Sequence, residues 1–311
     1  MRDAVGESAR GAGARHTLSA MQTRTLGPFS VSAIGLGGMP LSLAYGSVPD
    51  RDRSLSTVHA ALEAGITLID TADVYAPTWD SMGHNEELVA EALRTYHGST
   101  DRVVVATKGG ITRGPGETWD RDGSADYLRS RVEASLRALD RDVLDLYQWH
   151  RPDLRRAFAD VVEDLGRFRD EGLVRAVGLS NVNTEQIALA TDILGPGGLA
   201  SVQNQFSPRF RSSRDELELC GRLGVAFLPY SPLGGEGRVG LVASSFPVFA
   251  QIGAERDVSP QQVVLAWELA LGEHVVPIPG STRPESISDS ALAADLRLTD
   301  EEVGRIEAQF T

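Results

Sequence analysis

The chain has 311 residues, 41% of them hydrophobic and 23% charged, with a formal net charge of -13. That length and apolar share can bury one large core, and a single (β/α)8 barrel takes about 250 residues. The acidic balance, without a basic stripe, argues against a nucleic-acid partner, and no apolar run is long enough to cross a bilayer.

Residues 1–20 are rich in Ala, Gly and Arg and lack the apolar stretch of a secretory signal. Asp3 and Glu7 also count against a transit peptide. This segment is expected to be a flexible extension, followed by one domain over residues 21–311 in a cytoplasmic protein. Gly27-Pro28, between two short β-like pieces at residues 23–32, predicts a hairpin that plugs the bottom of a barrel. From there apolar runs recur at 33–37, 66–69, 103–107, 143–148, 174–178, 200–202, 225–228 and 275–278. Between them lie segments with helical spacing, such as Leu88, Ala92 and Tyr96, or Leu128, Val132 and Leu136.

Helix punctuation agrees with this division. Ser259-Pro260-Gln261-Gln262 combines a cap, a first-turn proline and a capping-box glutamine, and Thr299 to Glu302 has the same logic for an extra C-terminal helix. Gly65, Gly172 and Gly224 stand where left-handed residues end helices before strands. Eight strands alternating with helices predict a parallel sheet closed as a TIM barrel, with a doubly wound open sheet as the alternative. The single cysteine, Cys220, lies among Leu217, Leu219 and Leu223 and reads as core.

A barrel builds its active site at the C-terminal ends of its strands. Here those ends carry Asp70, Lys108, His150, Ser180-Asn181, Gln203 and Tyr230-Ser231. Lys108 is the only lysine among 30 basic residues. An ammonium is a compact charge whose pKa responds to burial, unlike a guanidinium. Asp70 could neutralise it, and Lys108 could in turn ease proton loss from Tyr75, making that phenol a better general acid. His150, the one histidine at a strand end, could donate to a carbonyl oxygen. A Schiff-base role for Lys108 is the competing chemistry. No two histidines have close metal-ligand spacing, so no metal is expected. Neither a Gly-x-x-x-x-Gly-Lys loop nor a complete Rossmann glycine pattern is present, so a nucleotide would have to bind by another route.

Taken together, several motifs resemble the aldo-keto reductase family. They are Asp70-Thr-Ala-x-x-Tyr75, Gly83-x-Asn-Glu-Glu87, Lys108, His150 within Leu146 to Pro152, and Gly178-Leu-Ser-Asn181. Gln203, Tyr230-Ser-Pro-Leu-Gly234 and Ile278-Pro-Gly-Ser281 follow in family order, so the resemblance spans the chain from about Met21 onward.

The resemblance implies NADPH-dependent reduction of a small aldehyde or ketone. Tyr75 would be the acid, Asp70 and Lys108 its tuning pair, and His150 the carbonyl orienter. Ser180, Asn181 and Gln203 would hold the nicotinamide carboxamide, with Tyr230 stacked on the ring. Ser231, Pro232, Leu233 and Gly235 would follow the pyrophosphate. Gly280, Ser281, Thr282, Arg283 and Ser286 would surround the adenosine phosphate, with Gly38, Met39 and Asp70 completing the cofactor set. Arg283 is the cation left for a 2′-phosphate, so NADPH is preferred and NADH remains possible.

Tyr45, Trp79, Trp119 and Trp149 are the candidate substrate walls; Trp119 falls in a Gly-rich stretch from Gly114 to Gly123 long enough for a flap. The same tryptophans could instead cover core edges. Two other functions stay open: a Schiff-base lyase using Lys108, and a non-catalytic or slow regulatory subunit of the same fold. Neither substrate identity nor oligomeric state is readable.

Overall fold

A computed structural model describes residues 21–44, 46–235 and 237–310. The expected extension at residues 1–20 and the pocket candidate Tyr45 lie outside the described residues. The chain first makes an antiparallel hairpin, β1 (Thr23–Leu26) and β2 (Phe29–Ser32), turning through Gly27 at φ +51°. Leu26 and Val31 from this hairpin pack with Leu68, Val104, Leu146, Ala176, Ala200 and Val276, the inward-facing residues of the barrel staves. A Cβ on Gly27 would come within 2.6 Å of the Ala200 Cβ, so only glycine lets the plug seat this deeply.

The barrel staves are β3 (Leu36–Gly37), β4 (Leu68–Asp70) and β5 (Val104–Gly109). After a second hairpin, β6 (Ile111–Gly114) and β7 (Thr118–Arg121), come β8 (Leu144–Trp149), β9 (Val174–Ser180), β10 (Leu199–Gln203) and β11 (Ala226–Phe227). These staves form one seven-stranded parallel sheet in the order β11-β10-β9-β8-β5-β4-β3. Residues 275–280 close it, bridging Val275 to Phe227 on one side and Gly280 to Gly37 on the other. Pro277 and Pro279 accept from the Gly35 and Gly37 amides at 2.9 and 3.0 Å but have no N–H to return. The eighth stave is therefore held by half a ladder on that side, and the closure is a set of bridges. The expected (β/α)8 barrel is the fold, and the open-sheet alternative is set aside.

The helices are α1 (Arg51–Glu63), α2 (His84–Thr95), α3 (Ala125–Ala138), α4 (Phe158–Asp170), α5 (Thr184–Leu194) and α6 (Arg214–Leu223). Then follow α7 (Val242–Ser245), α8 (Pro247–Arg256), α9 (Pro260–Ala270), α10 (Pro284–Ala291) and the additional C-terminal α11 (Asp300–Ala308). Thr299 and Glu302 form the expected reciprocal cap. At α9 the cap is only half as expected. Ser259 accepts from the Gln262 amide, but the Gln262 side chain turns to Asp289 on α10 at 2.6 Å, where an ionised partner makes a stronger bond. Cys220 is fully buried, and burial pushes its thiol up to about 12, as expected of a core residue.

Helix α9 also carries a liability. Glu268 is fully buried, with neither carboxyl oxygen partnered among the described residues, and burial holds its pKa well above the ordinary 4.5. Such a group carries no ionisation-linked cost well below pH 4.5, where folded and unfolded chains are both protonated. Above that pH the unfolded chain ionises first, and stability falls by about 1.4 kcal/mol per pH unit until the folded pKa is passed. Glu268→Leu is therefore expected to raise stability by about 1–3 kcal/mol at neutral to mildly alkaline pH. The gain should shrink toward mildly acidic pH. Urea unfolding at both ends of that range checks this, and a gain that does not vary with pH would show that Glu268 has a partner.

Candidate active site

Strand register assembles the rim. Lys108 sits opposite Gln148, Gln148 opposite Gly178, and Ser180 opposite Gln203, so polar strand ends arrive at one level. Period-two alternation then decides which side chains face inward. On β8, Leu146 joins the interior cluster, while Tyr147 and Trp149 belong to the outer layer between barrel and helices. Trp149 is thus a correction to the sequence reading. It is 1% exposed and packs against Phe158 of α4 at 5.5 Å, in the layer between barrel and helices. Gln148 takes the inward position instead.

At the centre lies a buried ion pair. Lys108 Nζ donates to Asp70 Oδ2 at 2.6 Å, to the Thr71 carbonyl at 2.8 Å and to the Tyr75 hydroxyl at 3.3 Å. These three bonds use all three ammonium protons. Asp70 Oδ1 accepts from Gln203 Nε2 at 2.7 Å and from Gln148 Nε2 at 3.4 Å. Burial alone would pull Lys108 down, but Asp70, followed by Tyr75, outweighs it, and the ammonium sits above its ordinary pKa. Tyr75 departs from the sequence expectation: burial raises its pKa, and the opposing pull of Lys108 offsets only part of that. The resting phenol is neutral. Because its oxygen accepts from Lys108, its own proton is free to point elsewhere.

The ring of His150 lies edge-on to Tyr75, with centroids 5.7 Å apart. Burial, then the charges of Lys108 and Arg151, drive its pKa well below the ordinary value, so the imidazole is neutral. A neutral imidazole keeps one N–H donor, and Nδ1 has no partner among the described residues.

Beside this pair the Ser180 hydroxyl donates to the Gln203 carbonyl at 2.8 Å, and Asn181 adopts a left-handed φ of +59°. Asn181 Nδ2 donates to the His150 carbonyl and to Ser180 Oγ, both at 3.0 Å. Its Oδ1 accepts from Tyr230 at 2.9 Å and from Arg151 at 3.0 Å. The eight residues Asp70, Tyr75, Lys108, His150, Ser180, Asn181, Gln203 and Tyr230 thus form one contact network.

The remaining cofactor candidates lie on neighbouring loops. Gly38 donates to the Asp70 carbonyl at 2.7 Å and opens a 3-10 turn beginning at Met39. Gly280 pairs with Gly37, and a Cβ there would meet Pro40 at 2.8 Å. Ser231, Gly234 and Gly235 have φ of +54°, +91° and +93°, in a loop where Pro232 and Leu233 are buried. Ser281 bonds the Arg283 amide and carbonyl, Thr282 accepts from Arg53, and the Ser286 amide reaches the Arg283 carbonyl. Arg283 is exposed, with Glu285 3.6 Å away.

Of the aromatic wall candidates, Trp79 is 38% and Trp119 49% exposed. The Gly-rich stretch around Trp119 is a paired hairpin, β6–β7, with ladder contacts from Ile111–Arg121 to Gly114–Thr118. The candidate flap is thus a ribbon held by cross-strand hydrogen bonds.

Sequence reasoning passed over Gln148, Arg151 and Arg113. The first had a readable signal, a polar residue on an apolar strand two positions before His150 and so on the same face. Arg151 follows His150 directly. Arg113 had none, since its partners beside Tyr75 are backbone carbonyls.

The sequence model of the aldo/keto reductase family matches residues 33–309. Among curated relatives, 6-dehydroglucose reductase of Novosphingobium aromaticivorans is 37% identical over 251 residues, covering 77% of this chain and 80% of the relative. Probable aldo-keto reductase 1 of Glycine max is 31% identical over 304 residues, covering 89% and 85%. Among solved structures, the aldo/keto reductase of Klebsiella pneumoniae in complex with NADP and acetate superposes with a TM-score of 0.77. It is 26% identical and covers 93% of this chain and 95% of its own.

Proposed function

The chain belongs to the aldo/keto reductase family of NAD(P)H-dependent oxidoreductases, and from that premise we propose that it reduces an aldehyde or ketone with NADPH, using Tyr75 as the proton donor. The observation that carries this reading is the Lys108 ammonium, whose third bond ends on the Tyr75 hydroxyl. The phenol is thereby held as an acceptor toward lysine and a donor toward the site. As negative charge builds on a reacting carbonyl oxygen, Tyr75 delivers its proton, and the adjacent ammonium stabilises the phenolate left behind. His150, neutral and edge-on to Tyr75, orients the same oxygen. Asp70 keeps Lys108 charged and is itself held by two glutamine amides.

The residues present suit a dinucleotide. The left-handed backbone at Ser231, Gly234 and Gly235 curves amide groups into an anion-accepting loop. The first turn of α10 has no side-chain cap; Pro284 has no N–H and the Ser286 amide bonds the Arg283 carbonyl, so the Glu285 amide and the helix dipole are what this end offers an adenosine phosphate near Arg283 and Ser286. Ser180, Asn181 and Gln203 present amide and hydroxyl groups for a carboxamide beside Tyr230. When bound, the nicotinamide supplies the hydride. The Klebsiella relative is in complex with NADP, which favours the phosphorylated cofactor. The name of the 37% identical relative makes a sugar carbonyl one substrate class to test, beside aromatic aldehydes suited to Trp79 and Trp119.

A lysine spending all three protons on buried acceptors is a poor nucleophile, which weighs against the Schiff-base lyase. An intact donor set weighs against a purely regulatory subunit. Fluorescence titration with NADPH and NADH in parallel tests the reading without a substrate: tighter NADPH binding is expected. Arg283→Ala should weaken NADPH by about tenfold, the worth of one exposed charge-assisted contact of about 1.4 kcal/mol, with little change for NADH. Equal losses for both cofactors would remove Arg283 from the phosphate site, and binding of neither would overturn the reading.

A further inference from the structure

We propose that Arg113 is a positioning residue for Tyr75, and that the β6–β7 hairpin carrying it sets the spacing between the Tyr75 and His150 loops. This rests on the reading of Tyr75 as the acid. The Arg113 side chain is only 2% exposed. Its Nη1 donates to the Ala76 carbonyl at 2.6 Å and the Val74 carbonyl at 3.3 Å, the carbonyls of the residues that follow and precede Tyr75. A planar guanidinium that stays charged when buried suits such a fork, whereas an ammonium would serve it only in part.

The hairpin holds Arg113 in turn. Its Nη2 pairs with Glu117, and its face lies 4.6 Å over Trp119, the residue directly across the ladder. Glu117 Oε1 also accepts the Trp79 amide at 3.0 Å, adding a second tie to the Tyr75 loop. Glu117 has φ +58°, a conformation that disfavours any residue with a Cβ, so this carboxylate is kept against backbone strain.

The opposite edge of the hairpin grips the other loop. Arg121 Nη1 donates to the Pro152 carbonyl at 3.1 Å, and Asp120 pairs with Arg155 at 3.0 Å, both within a few residues of His150. One paired ribbon therefore touches the loops of the proposed proton donor and the proposed carbonyl orienter. Neither loop has to find its position alone.

The test compares Arg113→Met, Arg113→Lys and Tyr75→Phe in the full chain, using NADPH consumption with para-nitrobenzaldehyde, NADPH titration and amide hydrogen exchange. Arg113→Met should lower kcat by about ten- to hundredfold, the scale of a misplacement near one ångström, with NADPH affinity within about twofold of the parent. The alkaline limb of kcat should move to higher pH, because a phenol drifting from Lys108 loses the charge that eases its ionisation. Exchange over residues 74–80 should quicken while β4 and β5 stay protected, and Arg113→Lys should fall between parent and Arg113→Met. Unchanged kcat and exchange would overturn the proposal, as would a loss shared by NADPH affinity and the whole barrel. Should Arg113→Met fail to fold, Glu117→Ala on the exposed turn decides, with faster exchange at residues 74–80 expected and unchanged exchange overturning it. An inactive Tyr75→Phe beside a parent-like Arg113→Met would sink this inference alone. An active Tyr75→Phe would sink the reading beneath it.

Discussion

Tyr75→Phe should lower the rate of carbonyl reduction by about a thousandfold, within the range that a general acid contributes, while NADPH still binds. The phenylalanine ring keeps the packing, and only the hydroxyl is lost. Lys108 then has one acceptor fewer in a fully buried position, which should cost about 1–2 kcal/mol of stability. The pH dependence has a definite sign. Burial outweighs Lys108 and leaves the Tyr75 pKa above its ordinary value of 10.0. Reduction, which needs the protonated phenol, should therefore persist through neutral and mildly alkaline pH. Alcohol oxidation, which needs the phenolate, should speed up as pH rises. Stopped-flow turnover of NADPH-loaded protein with the carbonyl compound, and of NADP+-loaded protein with the alcohol, checks both. A phenylalanine variant that turns over within tenfold of the parent would remove Tyr75 from the chemistry.

Lys108→Met should be severe in two separable ways. Catalysis should fall by about a thousandfold or more, because the phenolate that forms would lose its neighbouring cation. Stability should fall by about 3–5 kcal/mol, because Asp70, only 3% exposed, would be left as a buried charge without its counterion. Adding Asp70→Asn removes that charge, so the double variant should recover most of the stability and none of the activity. Urea midpoints and turnover, measured on both single variants and the double, decide it. Activity returning together with stability would mean that the pair serves the fold alone.

Much of the barrel was legible because its physics is local and repetitive. Apolar runs at regular intervals, left-handed glycines such as Gly65 and the Thr299–Glu302 cap each follow from neighbours in sequence. The rim was legible for a related reason: polar residues ending apolar strands have few structural uses, and a lone lysine among arginines marks a position where ammonium chemistry matters. What sequence missed depends on face and partner. Trp149 was read as pocket lining from its adjacency to His150, although alternation places adjacent residues on opposite sides of a strand. The stretch around Trp119 read only as long enough for a flap, because its glycines are visible whereas the ladder pairing Arg113 with Trp119 is not. The pKa of Tyr75 was misjudged in direction because the nearby cation could be inferred and the depth of burial could not. Glu268 lay in an apolar helical run without any hint that no partner among the described residues would meet it.

The most direct measurement is a label transfer. The protein would be incubated with NADPH deuterated at nicotinamide C4 and a panel of aldehydes and sugar carbonyls, and the products weighed by mass spectrometry. The account predicts an alcohol carrying one deuterium on the former carbonyl carbon, formed about a thousandfold faster by the parent than by Tyr75→Phe. NADPH that neither binds nor gives up its label, together with borohydride trapping of a carbonyl compound on Lys108, would contradict it and make the lyase the better reading.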